Sequence, residues 1–221
     1  TTGSANTALG LQALFANTTA SNNTAVGFQS LLANTTGTYN ISIGAYSMVT
    51  NTTGSNNVAM GQDALRLNTA SNNTAIGFLA LTANTTGTNN VAIGANALDA
   101  NTTSSNNVGI GLNAAGGTTT GADNIAIGTN SLLANTTGGQ NIGVGGFTLN
   151  ANTTASNNTA VGYQALTANT TGIQNNAFGQ VALAVNTTGN YNCAFGRASM
   201  NLNTTGSHNV AMGVLALDAN T

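Results

Sequence analysis

A 17-residue repeat runs through this chain and limits what it can fold into. Thirteen times an asparagine is followed three residues later by a bulky apolar residue and then directly by glycine. The segment Asn23–Tyr39 typifies the unit, and the step from Asn57 to Asn73 is one residue short. A unit this small can bury its apolar side chains only against neighbouring copies, so the repeat predicts a stacked array. The copies begin at Asn6, Asn23, Asn40, Asn57, Asn73, Asn90, Asn107, Asn124, Asn141, Asn158, Asn175, Asn192 and Asn209.

The repeat extends over the whole sequence. We therefore expect one continuous solenoid over residues 1–221, without separate domains. Thr1 and Thr221 both occupy the first threonine of an Asn-Thr-Thr segment, and neither end carries a polar cap of the kind that solenoids use for solubility. We expect the sequence to be an excerpt of a longer fibre.

The chemistry of each repeat position predicts which side chains face inward. Counting from the first asparagine as position one, position four is always apolar and position nine is nearly always leucine. Positions three and eight are small, whereas position ten varies from Phe15 to Arg66 and Asp99 and is expected to face solvent. The predicted core is Val26, Ile43, Ile76, Ile93, Ile110, Ile127, Phe178, Phe195, Leu31, Leu81, Leu98, Leu132 and Leu166.

The residue types favour β-structure over helix. Asn, Thr and Gly are poor helix formers, and a glycine in every unit would cost roughly 1 kcal/mol each relative to alanine. A parallel strand–helix–strand unit needs about 30 residues, and the Asn-Gly and Asp-Gly pairs that favour two-residue hairpins are absent. We therefore predict an all-β fold, a parallel β-solenoid (a β-roll or β-helix) with about 13 coils of 17 residues. Each coil is expected to hold short strands separated by Gly and Asn-Thr-Thr corners.

In-register stacking accounts for the composition. Stacked asparagines can hydrogen-bond to one another along the axis, so the asparagines at position one are predicted to form a structural ladder. Stacked like charges would repel, and only 3% of the residues are charged. Proline, which cannot donate to the next coil, is absent, and the glycine at position five suits a positive φ or a close backbone approach. One coil, residues 107–123, has Ala115 in place of leucine, and we expect it to be the weakest or most bent.

Composition also excludes several functions. The chain has no basic patch for nucleic acid or anionic membranes, and no apolar stretch of the roughly 18 residues that a spanning helix needs. One histidine, His208, and one cysteine, Cys193, have no nearby carboxylate in sequence, and the four aspartates lie in separate repeats. We predict no catalytic residues, no metal site and no cofactor.

The Asn-Thr-Thr segments suggest two surface roles. Their asparagines head formal N-glycosylation sequons. Adjacent threonines on a strand point to opposite faces, which disfavours the two-column array of an ice-binding surface. The candidate glycosylation sites are Asn17, Asn34, Asn51, Asn84, Asn101, Asn135, Asn152, Asn169, Asn186 and Asn203.

Aromatic residues at positions six and seven, such as Phe28, Phe78, Tyr163, Tyr46 and Phe147, suggest a receptor- or sugar-contacting surface, or a seam between protomers. The invariably small third position suggests close approach of a backbone or a neighbouring chain. A protomer seam explains both features most economically.

Three segments, Asn90–Gly94, Asn124–Gly128 and Asn158–Gly162, resemble the head repeats of trimeric autotransporter adhesins. Those heads are left-handed parallel β-rolls that assemble as trimers, although this 17-residue period is longer than theirs. The longer unit, with Gln-Ala-Leu and Asn-Thr-Thr-Gly, is similar to repeats of phage tail fibres and related bacterial surface proteins.

The resemblance implies a non-catalytic structural segment of a phage tail fibre, its shaft or its head. The alternative is the repeat region of a bacterial extracellular filament or trimeric surface adhesin, and a third is a carbohydrate- or ice-binding solenoid. The implied partner is the chain itself, as a side-by-side homotrimer or an end-to-end filament. A cell-surface receptor or glycan is a further expected partner, through parts outside this chain. The implied location is the virion tail fibre, or the cell surface and extracellular space.

Overall fold

A computed structural model of the chain describes residues 2–219. These residues form one short strand in every repeat. They form no helix, and therefore no helix that is long and apolar enough to cross a membrane. The strands are β1 (Thr7–Leu9), β2 (Thr24–Val26), β3 (Ile41–Ile43), β4 (Val58–Met60), β5 (Thr74–Ile76), β6 (Val91–Ile93), β7 (Val108–Ile110), β8 (Ile125–Ile127), β9 (Ile142–Val144), β10 (Thr159–Val161), β11 (Asn176–Phe178), β12 (Cys193–Phe195) and β13 (Val210–Met212).

The chain divides into two compact units, one up to Asn107 and one from Val108. The first contains β1–β6 and the second β7–β13. Within each unit, strands that are consecutive in sequence pair in parallel, as β2 does with β3 and β10 with β11. Each unit is therefore a parallel β-solenoid, and the predicted fold class is confirmed. The single array over the whole chain stays a prediction.

The stacking keeps identical repeat positions in register. Ala25 in β2 pairs with Ser42 in β3, and both occupy position three. The coil that is one residue short keeps the same register, because Val58 pairs with Thr74. The missing residue falls instead in the Asn-Thr-Thr corner, where the Thr69 N–H still donates to the Thr85 carbonyl over 3.0 Å.

Each coil has a single strand, because residues with a left-handed backbone conformation turn the chain in the rest of the coil. Three non-glycine residues per coil, at positions seven, nine and seventeen, have positive φ. In the second coil these are Gln29 (53°), Leu31 (51°) and Tyr39 (59°). Such conformations are strained for L-residues and persist only where the surroundings fix them. Axial hydrogen bonds do so here: the Gln29 N–H donates to the preceding coil and the Leu31 N–H to the following one, both over 3.0 Å.

The interior of the coil holds one large apolar side chain. Leu31, Leu81, Leu98, Leu132 and Leu166, all at position nine, are completely buried, as predicted. The other inward positions, three and eight, carry small residues that are buried throughout the described coils from the second to the twelfth. Around them lie buried asparagines, described below.

The prediction that position four fills the core is wrong. Side chains alternate along a strand, and the middle residue, position three, points inward, so positions two and four point outward. The small third position lines a narrow interior: a Cβ added to Gly143 would lie 2.6 Å from Ser131 Oγ and 2.8 Å from Thr148 Oγ1. It therefore gives no evidence for a neighbouring chain. At position four, Ile76, Ile127 and Phe195 are exposed, and Val26, Ile43, Ile93, Ile110 and Phe178 are half-buried.

The glycine at position five has both predicted properties. Gly27 has a φ of 128°, and a Cβ built on it would lie 2.7 Å from the carbonyl oxygen of Gly44 in the next coil. Any side chain there would hold neighbouring coils apart. Glycine is therefore required by backbone conformation and by contact distance together.

Candidate functional site

The position-one asparagines form the predicted ladder inside the coils. Asn40 shows the pattern: its N–H donates to Asn23 Oδ1 over 2.9 Å, and its Nδ2 donates to the Gly54 carbonyl over 2.8 Å. Its own Oδ1 accepts from the N–H and the Nδ2 of Asn57, over 3.0 and 3.2 Å. Eleven members are buried, and Asn6 and Asn209 are half-buried. These side chains join coils and are turned away from any ligand.

A second asparagine ladder, at position twelve, was not foreseen. Asn169 Nδ2 donates to the Gly172 carbonyl in its own corner over 2.9 Å and to Asn152 Oδ1 in the preceding coil over 3.0 Å. Where threonine replaces asparagine, Thr118 Oγ1 accepts from Asn135 Nδ2 over 3.3 Å. Position twelve is nearly as invariant within this sequence as position one, and that was the available signal.

The second ladder overturns the glycosylation prediction. An N-linked glycan attaches to Nδ2, which here lies inside the coil and donates hydrogen bonds. A glycan would break those bonds and has no room in a completely buried position. Asn17 is half-buried, and the other nine candidates are completely buried: Asn34, Asn51, Asn84, Asn101, Asn135, Asn152, Asn169, Asn186 and Asn203.

The two threonines of the corner have different environments. At position thirteen the hydroxyl joins coils, as when Thr136 Oγ1 donates to the Thr153 carbonyl over 3.1 Å. At position fourteen the side chain is exposed, as in Thr137. The corner therefore presents one exposed column of threonines, with the adjacent hydroxyl engaged by the neighbouring coil.

The outward side chains at positions two and four, most of them apolar, form a surface here called the strand face. Neither column contains a charged residue. Ile41 is 41% exposed and Phe195 is 49% exposed. Strands spaced about 4.8 Å apart make these columns continuous within each unit. The strand face lies outside the core, because position nine alone supplies large apolar side chains to the interior.

The aromatic residues at positions six and seven contact neighbouring coils of the same chain. Phe28 and Tyr46 pack edge-to-face with ring centroids 5.2 Å apart, and Phe147 and Tyr163 do so at 6.0 Å. Phe78 and Tyr163 remain 48% exposed. These contacts account for the pairs without a second chain, and the predicted receptor surface or seam stays a prediction.

The charged residues lie outside the strand face. Arg66 Nε is 3.5 Å from Asp63 Oδ1, and its guanidinium carbon lies 5.8 Å from the centre of the Tyr46 ring. Desolvation raises the pKa of Asp99, opposed by the backbone N–H groups of Asp99 and Ala100. In the Arg66–Asp63 pair, the arginine side chain is 51% exposed and the aspartate side chain 11% exposed.

The two residue types with catalytic potential occupy unrelated settings. The His208 ring stacks on Tyr191 with centroids 4.8 Å apart, while Cys193 is half-buried in β12 on the strand face. Among residues 2–219, no three His, Cys, Asp or Glu side chains come together as metal ligands. Neither unit has a pocket within its described residues.

No protein-family model matches this chain, and no curated protein is significantly similar to it in sequence. The resemblance to adhesin heads and tail fibres therefore rests on the short repeat motifs alone.

Proposed function

We propose that this chain is a non-catalytic structural segment of a fibre, the shaft or head of a phage tail fibre, that assembles with copies of itself. The supporting observation is that its recurrent polar side chains are committed to contacts between coils. Asn169 and Asn40 each bridge neighbouring coils from a completely buried position. Such contacts hold successive coils together, as a structural segment requires. The motif resemblance supports a phage tail fibre as its setting.

The strand face supports assembly with a second copy of the chain. A surface without charge in either column favours an equally uncharged partner. A copy of the chain presents columns with the same axial spacing, so ridges and grooves can match along the whole face. This repeated match is unavailable to a partner without the repeat.

The area of the strand face can be estimated separately for each unit. Six strands in the first unit and seven in the second, at about 4.8 Å each and about 10 Å wide, give roughly 300 Å² per unit. Each is smaller than the roughly 800 Å² per partner of a standard interface, before the relief of the side chains is added. In a homotrimer, three such faces meet around one axis and cover each other.

The test places charge on the strand face. Ile76→Lys combined with Ile127→Lys should convert the oligomer to a monomer, because each lysine would be buried in the interface with the other copies. Both side chains are exposed within one chain, so the fold should be retained by circular dichroism. Thr86→Lys with Thr137→Lys, on the exposed threonine column, is the matched control and should keep the native mass.

Light scattering gives the outcome. The unsubstituted chain should have three times the chain mass at about 10 μM, a range in which specific assemblies persist. A wild-type monomer at that concentration would refute self-association. An oligomer unaffected by the strand-face lysines but lost in the control would move the interface elsewhere.

A further inference from the structure

We propose that the stacked pair Phe178 and Phe195, with Asn176 beside it, fixes the axial register in which copies of this chain pack through their strand faces. The proposal rests on the proposed self-association. The axial register is the coil of one copy that lies beside a given coil of the next copy. Because the coils repeat, several registers are available.

A periodic face does not define its own register. Moving one copy by a single coil, about 4.8 Å, brings nearly the same side chains into contact again. Position four is isoleucine in β5 and β6 and again in β7 and β8. The slipped and aligned arrangements would bury almost equal apolar area over these strands. A unique assembly therefore needs a local break in the pattern.

Such a break lies at β11 and β12. Phe178 pairs with Phe195 at position four, and the rings stack with centroids 4.7 Å apart and planes 23° apart. At position two of the same strands, Asn176 pairs with Cys193, where other strands carry Thr, Val or Ile. We call these four residues the aromatic step. Phe195 is 49% exposed and Asn176 is exposed, so the step is available to a second copy.

Alignment of the copies satisfies both halves of the step. Phenylalanines from different copies meet at the same height, where aromatic contacts add to the buried area. The Asn176 amides then face each other and can exchange hydrogen bonds. In an arrangement slipped by two coils Asn176 would face Ile142 of β9 or Val210 of β13, leaving its amide without a partner. A single asparagine at an otherwise apolar seam fixes register in coiled coils by the same cost.

Cross-linking between cysteines measures the register. Cys193 is the only cysteine and lies on the strand face. In one assembly every copy carries Cys193. In the other, the chain is mixed with a second chain that carries Cys193→Val and Thr159→Cys, so that the cysteine of the second chain lies two coils away from position 193. With a short bismaleimide, the aligned register should give several-fold more Cys193–Cys193 product than displaced product. Phe178→Ile with Phe195→Ile and Asn176→Val restores residues usual at positions four and two and should retain the fold, while the two yields should become about equal.

The control and the other outcomes separate this proposal from the one it rests on. Phe28→Ile with Phe78→Ile removes two exposed rings away from the strand face and should leave the cross-link ratio unchanged. If the Asn176/Phe178/Phe195 variant keeps both its oligomeric mass and its cross-link preference, the register proposal is overturned while self-association stands. If the wild-type chain is monomeric by light scattering, self-association fails and the register proposal fails with it.

Discussion

At the scale of single residues, asparagine is chosen because its amide both donates and accepts. Asn40 and Asn169 each give a hydrogen bond to one backbone carbonyl and take part in a chain of side-chain bonds along the stack. Aspartate offers no donor and would place like charges in successive coils. The sequon at position twelve suggested a surface role because local sequence cannot tell whether a corner side chain turns inward.

The asparagine at position twelve can be tested by a substitution that keeps its shape. Asn169→Asp removes both donated hydrogen bonds and points a carboxylate at the Gly172 carbonyl in a completely buried position. We expect a loss of about 3 kcal/mol in the free energy of unfolding, measured by denaturant titration. Asn157→Asp, at an exposed position, should change stability little. Equal effects of the two substitutions would contradict the buried ladder.

At the scale of the coil, the sequence was sufficient for the period, the register and the glycine at position five. It was insufficient for the orientation of the strand. Alternation requires one of positions three and four to face inward, and bulk favoured position four as the interior residue. Apolar bulk does not distinguish a side chain buried by its own coil from one left for a partner. The left-handed backbone conformations at positions seven, nine and seventeen were also not predicted, because residues such as Leu31 and Tyr39 seldom have positive φ.

The coil interior depends on its one leucine. Leu81→Ala would leave a cavity between positions three and eight, whose small side chains cannot fill it. We expect a loss of about 3 kcal/mol in the free energy of unfolding by denaturant titration. Leu202→Ala removes the same atoms at a position that is 47% exposed and should cost much less. A small effect at Leu81 would mean that the stack is held by its hydrogen bonds alone.

At the scale of the whole molecule, the repeat predicted a stacked architecture more readily than a binding or catalytic site. Its enclosed polar atoms and its scarcity of charge follow from stacking identical units. The strand face was partly predicted from the sequence: its apolar columns were recognised but were assigned to the interior. Its role as a surface required the backbone, which fixes the direction of each side chain.

The scarcity of charge predicts a stability that is nearly independent of salt. With 3% charged residues, the unfolding temperature should shift by less than about 2 °C between about 20 mM and about 500 mM NaCl, followed by circular dichroism. Thr137→Lys with Thr154→Lys puts like charges on adjacent coils and should unfold at a lower temperature in low salt, with recovery as salt is added. A strong salt response in the unsubstituted chain would show that electrostatics outside the described contacts matters.

The short coil at residues 57–72 has a consequence for how the chain can change. Its missing residue is absorbed in the Asn-Thr-Thr corner, and Val58 still pairs with Thr74. Single-residue deletions at this corner are therefore compatible with stacking, whereas a deletion within a three-residue strand would turn its inward side chain outward. The corner is thus the place where the coil can be edited in length, and it is the natural point for grafting a displayed peptide onto this scaffold.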